Sequence, residues 1–234
     1  MSTDLIEDQA FYNQKPRPSG GVSLDVVKYL NVAYNYLVGF FCLYDEGREG
    51  AWMEDLVKIV RKIFREEEIE RCIPKNVRIS CNIYPGICLL IGDGPSEDRI
   101  AQLGIKPLFV GRVVGVTFEG EIYPSPWLLE DLYRCTGKIR SAIEAAQQGV
   151  KAFLYGNDLL VASVNKIHGP FKKGDIIAII DPVDGSVIGV ARAAMNPGEI
   201  ERARSIGRLV DVAAKNILDL GWFLRVLKPV EEWD

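Results

Sequence analysis

The sequence predicts an α+β protein of two domains: an N-terminal α+β domain with a small antiparallel sheet over residues 1–136, and a small β-barrel over 137–234. Three observations predict it. Helical and strand periodicities are mixed in the first half. Four or five short strands crowd into residues 159–226, and strong turn signals separate them: His168-Gly-Pro170, Lys173-Gly174, Asp181-Pro-Val-Asp-Gly185 and Asn196-Pro-Gly198. The composition, 48% apolar and 26% charged, supplies enough apolar material for a packed core.

Residues 1–21 are polar and end in Lys15-Pro-Arg-Pro-Ser-Gly-Gly21, a flexible arm. Ser23 then caps a helix in which Val26, Val27, Leu30, Tyr34, Leu37, Val38 and Phe41 recur at helical spacing. A second helix carries Trp52, Leu56, Ile59, Val60, Ile63 and Phe64 on one face, with Glu54, Lys58, Arg61, Lys62 and Arg65 on the other. Glu66, Glu67 and Glu68 read as its solvated end. From Pro74 the period changes to that of strands, expected at 77–84 and 86–91, followed by a hairpin of 108–118 and 121–123 that turns at Glu119-Gly120. Ser125-Pro126 starts a further helix, serine as cap and proline in the first turn. Its buried side is Leu128, Leu129, Leu132 and Tyr133, and it ends near Thr136-Gly137.

In the second half, residues 139–145 satisfy both periods. Residues 147–155 read as a short helix, and Gly156-Asn157 suits the left-handed conformation that ends one. Strands are expected at 159–164, 175–181, 187–195, 209–214 and 222–226. Many short strands with one short helix between them predict a closed or nearly closed barrel, which removes exposed edges.

A net charge of −4 excludes a chain coated in positive charge. A nucleic acid would have to meet a local basic patch, because phosphate attraction is screened within about 10 Å in 0.1 M salt. Residues 137–228 carry a small positive excess, whereas the first half and the tail Glu231, Glu232 and Asp234 are acidic. The five cysteines (Cys42, Cys72, Cys81, Cys88, Cys135) include no Cys-x-x-Cys pair, which argues against a zinc ribbon and fits buried free thiols in a reducing compartment. The polar, acidic N-terminus lacks a signal-peptide pattern. The uncharged run 29–44 is shorter than the roughly 20 residues that span a bilayer, so it reads as a core helix and a cytoplasmic location is expected.

From about Gly137 to Lys228 the pieces stand in a telling order: Val150-Lys-Ala-Phe-Leu-Tyr-Gly-Asn157, Asp158-Leu-Leu-Val-Ala-Ser-Val164, Phe171-Lys-Lys-Gly-Asp-Ile-Ile-Ala-Ile-Ile180, Gly185-Ser-Val-Ile-Gly-Val-Ala-Arg192, then a return through 207–225. Together they resemble the PUA domain, a module named for pseudouridine synthases and archaeosine transglycosylases. Within that superfamily, Phe153-Leu-Tyr-Gly-Asn157 is similar to ribosome-biogenesis factors that process large-subunit rRNA in eukaryotes, and to their archaeal homologues. Those proteins also place an α+β domain before a C-terminal PUA module. The N-terminal half here is longer and resembles theirs only through Glu121-Ile-Tyr123 and the 128–133 helix, and 160–166 departs from their sequence after the Gly-Asn pair.

The resemblance implies a non-enzymatic RNA-binding protein that engages rRNA or tRNA, with no cofactor, no DNA, no membrane and a protein contact open to the N-terminal domain. A PUA surface grips phosphates with Lys and Arg and lets a glycine-bearing helix-to-strand corner approach the RNA, which is read by shape and exposed bases. Here the corner is Tyr155, Gly156 and Asn157, with Lys151 one turn earlier. The basic candidates are Lys166, Lys172, Lys173, Arg192, Arg202, Arg204, Arg208 and Lys215, and the favoured group is Arg202, Arg204 and Arg208. Each has a plainer reading. Glu199, Glu201 and Asp211 are placed to pair with those arginines, Lys172 and Lys173 fit an ordinary turn, and Gly156 fits a helix terminator. Trp222 and Phe223 fit core packing better than a base-stacking face.

Enzyme signatures are weak. The single histidine, His168, falls in an expected solvent-exposed loop, which disfavours a Ser-His or Cys-His site. The run 86–95 lacks the third glycine and the later acidic residue of a dinucleotide-binding turn, and no Gly-x-x-x-x-Gly-Lys-Ser/Thr loop occurs. Two other readings stay open: an RNA-modifying or nucleotide-using N-terminal domain anchored by the barrel, and a protein-interaction scaffold.

Overall fold

A computed structural model describes residues 49–64, 67–84, 86–93, 102, 110–118 and 120–226. The expected arm, the helix at 23–41, Cys42 and the acidic tail lie outside the described residues. Those described all belong to one compact unit, Phe41–Asp234.

Helix α1, Glu49–Phe64, buries Leu56, Val60, Ile63 and Phe64 completely, at the spacing that puts them on one face. A 3-10 segment, Glu67–Cys72, follows it and buries Ile69, so the chain folds inward where only a solvated helix end was expected. Four strands then form an antiparallel meander in order β1-β2-β3-β4: β1 Arg78–Tyr84, β2 Ile87–Gly92, β3 Arg112–Phe118 and β4 Glu121–Pro124. Helix α2, Pro126–Thr136, starts as the sequence predicts. Ser125 Oγ accepts from Leu128 N at 3.0 Å and donates to Val113 O at 2.5 Å, which ties the cap to β3. Gly137, with φ 70°, ends the helix.

The expectation of free thiols is corrected. Cys72 pairs with Cys135, joining the 3-10 segment to α2, and Cys81 pairs with Cys88 across the β1–β2 hairpin. The second pair sits just beyond the Ser80–Leu89 pairing, where the Cα atoms of Cys81 and Cys88 are 4.0 Å apart. Neither pair has a short sequence motif, so spacing could not reveal them. The cysteines therefore no longer argue for a reducing compartment.

The remaining strands form a curled six-stranded sheet in order β6-β10-β9-β8-β5-β7: β5 Ala142–Ala145, β6 Leu159–Leu160, β7 Val164–His168, β8 Ile176–Ile180, β9 Val187–Ala193 and β10 Val212–Asp219. Only the β5–β8 pairing is parallel. Helices α3, Gln147–Leu154, α4, Pro197–Ser205, and α5, Trp222–Val226, complete the fold. Strands β6 and β7 lie at opposite edges, yet only the 3-10 turn Val161–Ser163 separates them in sequence. That short link requires the sheet to curl until its edges nearly meet. The single strand expected at 159–164 is thus two, because an apolar run looks the same whether it continues along one edge or crosses to the other.

Two further corrections have similar causes. Residues 222–226 are helix α5 rather than a strand, since four apolar residues in a run of five fit either period. The strand expected at 209–214 begins only at Val212, and Leu209 and Val210 are exposed loop residues. Strand β7 was not expected, because as an edge it carries polar Asn165, Lys166 and His168.

The curled sheet has two apolar faces. Ile143, Phe153, Ile177, Ile179, Ile188 and Ala213 fill the inside. Ala142, Ala178, Ile180, Val187, Val190 and Leu218 point the other way and share one cluster with Leu56, Val60, Leu129 and Leu132 of α1 and α2. The backbone reinforces that contact: Arg140 N and Ser141 N donate to Ile63 O at 3.1 and 2.9 Å, capping the C-terminus of α1. Val187 N donates to Glu130 Oε2 at 2.8 Å, which fastens β9 to α2. Gly137 turns the chain between α2 and β5, and the residues on either side of it share a core within one compact unit.

Candidate nucleic-acid interface

The corner begins where α3 runs out of helical bonds. Tyr155 N donates to Ala152 O at 3.1 Å, Gly156 N to Phe153 O at 2.9 Å, and Asn157 N to Ala152 O at 3.1 Å. Asn157 also returns its side-chain Nδ2 to Ala152 O at 3.1 Å. Gly156 takes φ 90°, a conformation that costs an L side chain energy. Tyr155 is left 79% exposed, an aromatic face with no neighbour over most of its surface. Lys151 is exposed in the last turn of α3 and has no ion-pair partner among the described residues.

Beneath the corner lies a polar layer that the sequence reading missed. Asn216 Nδ2 donates to Phe153 O at 2.7 Å, and Asn216 N to Asp158 Oδ1 at 2.9 Å. Arg225 donates through Nη1 to Leu154 O and through Nη2 to Asp219 Oδ2, both at 2.6 Å. Asp219 is fully buried. The available signal was Asn216 and Asp219 in a strand whose other residues, Lys215 apart, are apolar.

The cations divide by their partners. Helices α3 and α4 both pack on the Val161–Ser163 turn, so the helix bearing Lys151 and the helix bearing Arg202 flank one feature. Arg202 is exposed and has no carboxylate partner among the described residues. Arg204 pairs with Glu201 at 3.4 Å and donates to Val164 O, and Arg208 lies 2.6 Å from Asp211 in a charge contact without hydrogen-bond alignment. The predicted trio is therefore one open arginine and two engaged ones. Glu199, the expected competitor, instead accepts from Asn196 N at 2.7 Å in a capping box at the start of α4.

Lys172 and Lys173 are exposed in the turn before β8, which is held to the start of α4 by Lys173 N donating to Asn196 Oδ1 at 2.9 Å. Lys215 is exposed on β10, opposite Arg192 of β9. Arg192 faces away from the corner, toward the four-stranded sheet. It donates to Glu121 Oε2 at 2.7 Å and to Tyr123 OH at 3.2 Å. The Tyr123 hydroxyl, with help from Arg192, holds the Glu121 carboxyl below its ordinary range. Lys166 sits on the edge strand β7 beside Glu144, at 3.4 Å. His168 is not a loop residue: it ends β7, only 25% exposed, with Nε2 2.7 Å from Glu144 Oε1.

A cleft of about 530 Å³ opens between α1, β4 and the curled sheet, with Trp52, Lys62, Tyr123 and Arg192 in its wall. Its cations Lys58, Lys62 and Arg192 are matched by Asp55, Glu121 and Asp175, so it presents no net attraction for a polyanion. Among the described residues there is no cluster of three His, Cys, Asp or Glu able to hold a metal, and no helix long and apolar enough to cross a membrane. Trp222 and Phe223 pack inward: Phe223 is buried, with its ring centroid 4.5 Å from that of Trp127.

No curated protein matches the chain significantly. Among solved structures, the chain is similar to a hypothetical protein from Pyrococcus horikoshii OT3, with 14% identity and a TM-score of 0.52 over 71% of this chain and 90% of that one. It also matches a conserved PUA domain protein from Thermoplasma acidophilum, with 17% identity and a TM-score of 0.45 over 66% and 85%. A PUA domain structure from Aeropyrum pernix K1, in complex with tartrate, matches with 15% identity and a TM-score of 0.46 over 75% and 85%. For the first of these, at 14% identity, the likeness is one of fold. The family model described as the UPF0113 PUA domain matches residues 141–228, which span the curled sheet from its first strand, and that part of the chain is a PUA domain.

Proposed function

We propose that this protein is a non-enzymatic RNA-binding protein that engages structured rRNA or tRNA through its PUA domain, in ribosome biogenesis or RNA processing. The observation that carries the reading is the Tyr155–Asn157 corner, with an exposed aromatic ring on a left-handed glycine bend, the open Lys151 behind it, and the open Arg202 on the helix across the Val161–Ser163 turn. An exposed ring stacks an unpaired base, and unpaired cations displace counterions from phosphates. Lys172, Lys173 and Lys215 add open charge to the same domain. The first part of the described chain braces the barrel through the shared core.

The test uses the whole chain with ribosomal RNA fragments and tRNA at several salt concentrations. Log K should fall linearly with log salt, by about 0.7–0.9 per phosphate contact. Arg202→Ala should weaken binding and lower that slope by about one contact, or ~0.7–0.9, whereas Arg208→Ala, already paired with Asp211, should change it less. A weak, salt-independent response from the wild-type protein would remove the proposal and favour a protein-interaction scaffold.

A further inference from the structure

We infer that Arg225, fixed by the buried Asp219, is a positioning residue that sets the pose of the Tyr155–Asn157 corner for RNA; this rests on the reading just proposed. The last carbonyls of a helix have no partner within it. Here Leu154 O receives Arg225 Nη1 at 2.6 Å, and Phe153 O receives Asn216 Nδ2 at 2.7 Å. Asp219 Oδ2 joins the two, accepting from Arg225 at 2.6 Å and from Asn216 at 3.2 Å. A fully buried carboxylate needs a cation beside it, so Asp219 holds Arg225 as firmly as Arg225 holds the corner.

The glycine completes the arrangement. A Cβ on Gly156 would lie 3.1 Å from Arg225 Nη2, 3.4 Å from Cζ and 3.5 Å from Nε, so the guanidinium lies flat against the open side of the glycine. Gly156 therefore supplies both a left-handed bend and room for the arginine. A lysine would carry the same charge, yet could not span Leu154 O and Asp219 Oδ2 with a rigid fork while lying flat. Helix α5, which carries Arg225, is anchored by Phe223 against Trp127 of α2. The pose of the corner is thus tied to β10 and, through α5, to α2.

Arg225→Lys and Arg225→Ala in the full chain separate this role from a direct phosphate contact. Both should weaken RNA binding about tenfold, the scale of one charged hydrogen bond, with the salt slope unchanged. Both should also speed hydrogen exchange at the Tyr155, Gly156 and Asn157 amides in the free protein. If Arg225→Lys binds like the wild type, or if Arg225→Ala lowers the slope by about 0.7–0.9, Arg225 is a contact or a bystander and the inference fails. Should the wild-type protein bind no RNA, the functional reading falls separately, and unaltered exchange at those amides would overturn the clamp as well. Asp219→Asn, which keeps the shape of the acceptor and loses its charge, should give a smaller acceleration of the same amides.

Discussion

A cation is available to a phosphate only where no carboxylate already holds it, and in this protein that is settled one residue at a time. Lys166 and His168 both turn to Glu144, Arg208 to Asp211 and Arg192 to Glu121, whereas Lys151 and Arg202 remain open. Burial pushes the Glu144 carboxyl upward, but the hydrogen bonds from His168 and Lys166 outweigh it and leave the group below its ordinary range. A carboxyl depressed in the folded state stabilises fully above its unfolded value, about 4.3, and loses that contribution as pH falls through the folded value. Glu144→Gln should therefore lower stability at neutral pH, and the gap from wild type should close in acid. Urea titrations across that range would show it; a gap that stays constant down to about pH 3, well below the ordinary carboxylate value, would contradict the assignment. The residue types in the site were legible from the sequence, but their availability was not, because Glu144 and Lys166 stand 22 positions apart and meet only across the β5–β7 ladder.

Among the elements, those with local signals were readable. Helix α2 announces itself by Ser125-Pro126 and Gly137, and the β3–β4 hairpin by its glycine turn. The breaks at 161–163 and 222–226 have no local signal, since the partner surfaces that decide them come from distant parts of the chain. The disulfides act at this scale too. Cys72–Cys135 closes a 63-residue separation and Cys81–Cys88 only a 7-residue one. On the chain-entropy account the first should stabilise by about 4 kcal/mol and the second by about 2 kcal/mol. Denaturant unfolding of Cys72→Ser/Cys135→Ser and Cys81→Ser/Cys88→Ser double variants would measure both, and equal losses would show that loop closure is not what these bonds contribute.

The whole molecule is organised by the curled sheet, whose strand β8 is buried on both faces. Its inner face makes the barrel core, and its outer face is the floor for α1 and α2. Residues 137–234 produced alone should therefore expose Ala178, Ile180, Val187, Val190 and Leu218 together. Soluble surfaces rarely carry contiguous apolar patches beyond a few hundred Å², so uncovering this face should make the fragment associate or lose its native circular dichroism. A monomeric, cooperatively folding fragment would contradict this. By itself the sequence determined the elements with a clear period or cap, the α+β class, the small terminal barrel and the glycine corner, because those depend on near neighbours in the chain. Only the tertiary structure decided which cysteines join, where the barrel changes edge, which arginines stay open and what holds the corner. Each of those depends on partners brought together by sheet pairing and core packing, which no local pattern encodes.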